Sequence, residues 1–271
     1  MMPGAVRFAA IPAIVWMLAA PACAVELSGA IRSSTGKLPA GMQVFGDRKE
    51  DLPALVGKVE NGRYRIELPD AGLFRIRLTA PGWDAAPKTI WDPKTAGALD
   101  FLIYPAKVPA PALAAELIAL GKQDQAVRPD VNGKLDPEAI KRMNESDAKR
   151  QRRMKAIVDA QGWPGISMVG HEAATSAWLI VQHASKAFLK RCLPLMKAAV
   201  EKGEMAPDQL ALSIDRDLMN DEKPQIYGSQ LRWSTGSKPE LYPIADREHV
   251  DERRAAMGME PLAQYLKRFE E

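Results

Sequence analysis

Apolar positions change their period near residue 105, and the change divides the chain into two kinds of structure. Before it, they recur at every second residue over short runs. Tyr64, Ile66 and Leu68 share one face of residues 62–69, and residues 73–78 alternate again around Phe74, Ile76 and Leu78. Residues 25–31 alternate more loosely, residues 43–46 form a further candidate strand, and Gly36 and Gly72 sit in turns between strands. Strands at this spacing predict an antiparallel sandwich over residues 25–104. After the change, Leu113, Leu117, Ile118 and Leu120 follow a helical period and open a helix reaching Arg128. Asp136 and Pro137 read as cap and first turn of a second helix, stopped by Gly162, Trp163 and Pro164. A third helix is expected over residues 170–184. Ser185 caps a fourth over 186–202, which Pro194 should kink or break. Pro207 opens a fifth, running through Leu218. A short hairpin through Trp233 and Leu241 and two terminal helices, around 252–257 and 261–269, complete the chain.

The fold class is therefore an α+β multidomain chain, with an N-terminal antiparallel β-sandwich followed by a mainly α-helical domain over 112–271. The linker, residues 105–111, carries Pro105, Pro109 and Pro111, a composition that favours an extended strut. With 271 residues, 46% of them hydrophobic and 26% charged, the mature chain can bury cores without covalent staples. A formal charge of +3 gives no reason to expect nucleic acid as partner.

The first two dozen residues follow other rules. Arg7 precedes an uncharged run from Phe8 to Ala22, closed by Cys23 and Ala24. That is the pattern of a secretory signal peptide, residues 1–24, cut after Ala24, so a periplasmic or secreted protein with no stable membrane span after cleavage is expected. Lipidation at Cys23 is the weaker reading, because Ala20 and Pro21 fit a lipidation site poorly. Removal of Cys23 leaves Cys192 alone among Phe188, Leu189, Leu193 and Leu195, where a buried core thiol is expected.

Residues 61–83, with their Gly-x-Tyr strand, their Pro-x-x-Gly turn and a strand ending in Pro81, Gly82 and Trp83, resemble the core hairpin of carboxypeptidase regulatory-like, transthyretin-like sandwich domains. The resemblance implies a stabilising or adhesive module, not a catalytic one.

Candidate chemistry lies in the helical part. The third helix is apolar over most of its circumference, so its polar groups need partners or a cleft. Gln182 and His183 have two readings: paired to neighbouring backbone at a helix end, or facing a cleft where His183 serves as acid, base or ligand. His171 and His183 stand twelve positions apart without a zinc-helix motif, and no metal ligand set is assigned. No phosphate loop, dinucleotide fingerprint or nucleophile elbow is present. Asp215, Arg216, Gln225, Tyr227 and Gln230 cluster around the fifth helix and its following loop. Such groups suit hydrogen-bonding a polar ligand, or bracing the loop. Asp124 and Arg128 read as a helix-surface pair, residues 149–153 as a solvated basic face, and Trp163 and Trp178 as core anchors. Trp233 and Tyr242 flank the hairpin as pocket candidates.

In order along the chain, Asp124, Gln125 and Arg128, then Gly162, Trp163 and Pro164, then Val169 and Gly170, then Ala177 and Trp178, then residues 181–184, then Leu193, Pro194 and Leu195, then Asp215 and Arg216, then Gln225, Tyr227, Gly228, Ser229 and Gln230, then Asp251, Arg253 and Arg254 resemble a bacterial domain family without an established activity. Ser229 stands where threonine is expected and Ala184 where an aspartate is common. The resemblance implies a domain identity and no mechanism, so the cofactor stays unknown. For an enzyme, hydrolysis of a polar envelope or nutrient substrate fits best, with His183 as general base or acid and Asp215 orienting it. Gln182, Arg216, Gln225, Tyr227 and Gln230 would then hold the ligand. The alternative is a non-catalytic envelope binding or scaffold protein with a protein partner.

Overall fold

The computed structural model describes residues 24–48, 52–94, 96, 99–128, 136–232 and 239–269. Nine strands fill the first third: β1 (Ala24–Ser33), β2 (Gln43–Asp47), β3 (Leu55–Val56), β4 (Lys58–Glu60), β5 (Arg63–Pro69), β6 (Phe74–Thr79), β7 (Trp83–Ala85), β8 (Lys88–Ile90) and β9 (Phe101–Pro105). They form a five-stranded sheet in the order β4-β5-β1-β9-β7 and a four-stranded sheet in the order β3-β2-β6-β8. Both sheets contribute to one apolar core, which makes this part a sandwich. Pairing is antiparallel except between β1 and β9, which run parallel. The candidate signal segment through Cys23 lies outside the described residues.

The expected hairpin of residues 61–83 does not form within one sheet. β5 pairs with β1 and β4, whereas β6 pairs with β2 and β8. The turn between them carries the chain from one sheet to the other. Tyr64, Ile66 and Leu68 therefore meet Phe74, Ile76 and Leu78 through a shared core, all six nearly fully buried. Alternation fixes which face is buried, but it does not choose the hydrogen-bonding neighbour.

The helical part contains α1 (Pro111–Ala126), α2 (Pro137–Gln161), the single turn α3 (Ile166–Val169), α4 (His171–Gln182), α5 (Lys186–Lys202), α6 (Pro207–Asn220), α7 (Val250–Ala256) and α8 (Leu262–Lys267). Their boundaries follow local chemistry. The Asp136 carboxylate accepts from the Glu138 and Ala139 amides at the start of α2, and Ser185 Oγ accepts from the Phe188 amide at the start of α5. Gly162 ends α2 with a positive φ of 78°. The expected third helix is α4, and Gly170, at φ 84°, separates it from the preceding single turn α3. α5 is a single helix through Pro194 instead of two pieces. Strands β10 (Leu231–Arg232) and β11 (Glu240–Leu241) pair antiparallel as a short hairpin, and Trp233 lies outside the described residues. Tyr104, at the end of β9, is buried in the core of the helical part, and the Ala110 amide donates to the Met168 carbonyl. These contacts seat the sandwich against α3 and α4.

Candidate functional site

The site begins with a glycine. A Cβ on Gly121 of α1 would stand 2.5 Å from Ser176 Oγ and 2.6 Å from Ser176 Cβ on α4, so only glycine permits this helix approach. Three positions further along the same face of α1, Asp124 reaches the C-terminal end of α4. There Asp124 Oδ2 lies 2.8 Å from His183 Nδ1. Arg128 Nη2 donates to Asp124 Oδ1 at 2.5 Å, and Arg150 Nε stands 3.3 Å from the same oxygen as an ion pair without hydrogen-bond alignment. Asp147 accepts from both arginines and completes the charge balance. Two carboxylates and two guanidiniums thus form a closed, largely buried network from α1, α2 and the turn after α1.

This overturns two sequence expectations. Asp124 and Arg128 are not a surface pair, since the Asp124 side chain is only 1% exposed. Nor is the basic run of α2 wholly solvated. Arg150 turns inward with 2% exposure, while Arg153 pairs with Glu116 at the surface. Burial acts to raise the Asp124 carboxyl, but the hydrogen bonds from His183 and Arg128 outweigh it and hold the group down to about 2. An ionised carboxylate only accepts, so His183 Nδ1 carries a proton and donates to Asp124, and Nε2 points away from that bond. No described residue bonds Nε2.

A cavity of about 540 Å3 opens beside His183, bounded by α4, α6, residues 229–231 and the last turn of the chain around α8. Trp178, Tyr242, Tyr265 and Phe269 form its aromatic wall, and Gln182, His183, Arg216, Ser229 and Gln230 its polar side. No carboxylate is among the described residues that line it. Arg216 Nε donates to Gln230 Oε1 at 2.7 Å, whereas its two amino groups meet no described residue and no described acid pairs with it. Burial and the nearby Arg128 charge both push its pKa below the ordinary arginine value.

Of the seven residues singled out from the sequence, four line this cavity: Gln182, His183, Arg216 and Gln230. The two amides among them are already engaged. Gln182 accepts from Ser213 Oγ at 3.0 Å and donates to the Leu212 carbonyl at 3.4 Å. Gln230 holds Arg216 and donates to Ser229 Oγ. Asp215, Gln225 and Tyr227 lie outside the lining. Asp215 does not orient His183. It accepts from the amides of Ile226, Tyr227 and Ser229 and from the Ser229 hydroxyl, because α6 ends directly beneath this loop. Gln225 is fully buried and ties together Gln230 and the Tyr242 carbonyl. The Tyr227 carbonyl accepts from Arg254, a buried arginine stacked at 5.0 Å from the Tyr265 ring.

The residues that sequence reasoning missed are Asp124 as the partner of His183, Arg150 and Asp147 behind it, and Tyr265, whose hydroxyl donates to the Ser229 carbonyl. Only the four-residue spacing of Asp124 and Arg128 signalled any of this. The Tyr242 hydroxyl bonds to no described residue, and the Arg232 guanidinium lies 4.8 Å from its ring. Cys192 is buried, with its thiol pushed up to about 11 by burial, and is no nucleophile. Among the described residues no group of three or more His, Cys, Asp or Glu could hold a metal, and no helix is long and apolar enough to cross a membrane.

No curated protein and no solved structure matches the chain. A family model does match, over residues 111–271, which include α1, the Asp124–His183 pair, Arg216 and all of the cavity lining. The chain belongs to the family of unknown function DUF6624.

Proposed function

We propose that the helical domain binds a small polar ligand in the cavity beside His183 and hydrolyses it by general acid–base catalysis. One observation carries this reading: His183 Nδ1 is committed to an ionised Asp124, while Nε2 has no partner among the described residues and the ring borders a cavity. In that arrangement Nε2 takes a proton from water as the water oxygen attacks the substrate, and Asp124 stabilises the imidazolium that forms. The same proton then passes from Nε2 to the leaving group, and the neutral ring is restored. Water is the nucleophile, since the Ser229 hydroxyl, the one aliphatic hydroxyl among the described lining residues, already donates to Asp215. Gln230 fixes Arg216 so that its amino groups hold the substrate, and Gln182 braces α4 against α6.

The protein acts after export, in the periplasm or outside the cell, with the sandwich as a non-catalytic module of the carboxypeptidase regulatory-like kind. The basic, apolar start of the chain and the alternation of residues 62–78 support this.

The test is turnover by the purified protein on chromogenic esters, phosphomonoesters and glycosides. His183→Asn is expected to lower kcat by about 100-fold or more, with a thermal midpoint lowered by no more than about 4 °C. Equal turnover in wild type and His183→Asn, or none across the panel, overturns the catalytic reading in favour of a binding or scaffold protein.

A further inference from the structure

The charge around the cavity is unbalanced. Asp124 and Asp147 are matched by Arg128 and Arg150, and His183 Nδ1 is already engaged by Asp124. Arg216 is left over. It is partly buried, its Nε is fixed by Gln230, and among the described residues it has no acidic partner and no bond to either amino group. Arg232, over the Tyr242 ring, adds a second positive group beside that wall, and no Asp or Glu is among the described lining residues. A guanidinium kept away from carboxylates, in a hollow where burial already disfavours its charge, is short of one anion. Its two amino groups form a fork that matches the two oxygens of a carboxylate or a phosphoryl group. The remaining wall is aromatic, formed by Trp178, Tyr242, Tyr265 and Phe269. Flat or apolar ligand bodies suit such a surface.

We infer that the cavity selects a small organic anion, whose oxyanion is gripped by the amino groups of Arg216 and whose body lies against the Tyr242, Tyr265 and Trp178 rings. This deepens the hydrolytic reading by naming its substrate class, and rests on the same cavity. It concerns equilibrium binding, however, so the two can fail separately. Carboxylates and phosphate monoesters share the required oxygens, and the probes below tell them apart.

The full-length protein is titrated with benzoate, phenyl phosphate and neutral benzyl alcohol, read by tryptophan fluorescence and by the His183 imidazole signals in NMR. Wild type is expected to bind at least one anion about tenfold or more tightly than benzyl alcohol, with affinity falling as NaCl rises. The anion that binds more tightly identifies the source of the oxyanion. Arg216→Gln is expected to remove the preference and leave the weak binding of benzyl alcohol unchanged. His183→Asn retains the anion preference even where turnover is lost, which separates this inference from the catalytic one. Should Arg216→Gln not fold, Arg216→Lys serves instead: it keeps the charge but loses the fork held by Gln230, and a several-fold weaker anion affinity is expected. The inference is overturned by equal affinity for anion and alcohol in wild type, by binding that leaves the His183 signals unmoved, or by an unchanged anion preference in Arg216→Gln.

Discussion

Asp124 and His183, 59 positions apart in the chain, meet at 2.8 Å because α1 and α4 touch through a glycine. The contact joins a buried charge network on one side to an open cavity on the other. It separates residues that hold the site together from those free to meet a ligand. Asp215, Gln225 and Gln230 belong to the first group, and His183 Nε2, Arg216 and the Tyr242 hydroxyl to the second.

Removing the Asp124 charge should cost far more than removing its partner's ring. Asp124→Asn leaves Arg128 and Arg150 facing a neutral amide in a buried setting, and about 3–5 kcal/mol of stability is expected to be lost. His183→Asn, at the cavity edge with its side chain 22% exposed, should cost about 1 kcal/mol or less. Urea unfolding of both variants checks this, and comparable losses would show that Asp124 is not the centre of the network.

Acid should weaken the fold through the same carboxylate. Asp124 titrates near 2 when folded, against 3.8 for the free side chain. Its folded value is the lower one, so its stabilisation is complete above about pH 4 and disappears as pH falls through 2. The loss amounts to about 2 kcal/mol. Urea midpoints recorded from pH 5 to pH 2 should fall less steeply in Asp124→Asn than in wild type.

Gly121→Ala tests the helix crossing. Alanine is favoured over glycine within a helix by about 1 kcal/mol, but its Cβ would overlap Ser176, whose own Cβ cannot move away from the backbone. Overpacking prevails, with a net loss of about 1–3 kcal/mol expected. Ser176→Gly in the same chain should restore most of that loss. A stable Gly121→Ala single variant would contradict the close approach.

Asp215→Asn is expected to loosen the loop over residues 225–230, because three amides and one hydroxyl share that carboxylate. Amide hydrogen exchange at Ile226, Tyr227 and Ser229 should accelerate more than tenfold, matching the loss of about 1.5–3 kcal/mol expected for a charged hydrogen-bond acceptor. Tyr227→Phe, whose hydroxyl bonds to no described residue, should leave exchange and stability unchanged.

Much of this protein was determined by local pattern. The period of two placed the strands, and the period of 3.6 placed the helices. Asp136, Ser185 and Gly162 marked helix ends, because capping depends on residues within one turn of each other. The sequence also brought Gln182 and His183 to attention as polar groups on an apolar helix, and Arg216 and Gln230 as part of a polar cluster around the fifth helix and its following loop. Only the tertiary structure decided their tasks. It gave His183 to Asp124 instead of Asp215, turned Arg150 inward from a run that reads as solvated, and sent β5 and β6 to different sheets. Each outcome depends on how two distant segments cross. A charged side chain four residues from its neighbour has the same local pattern whether that face meets water or another helix, and the Gly121–Ser176 approach selects the second.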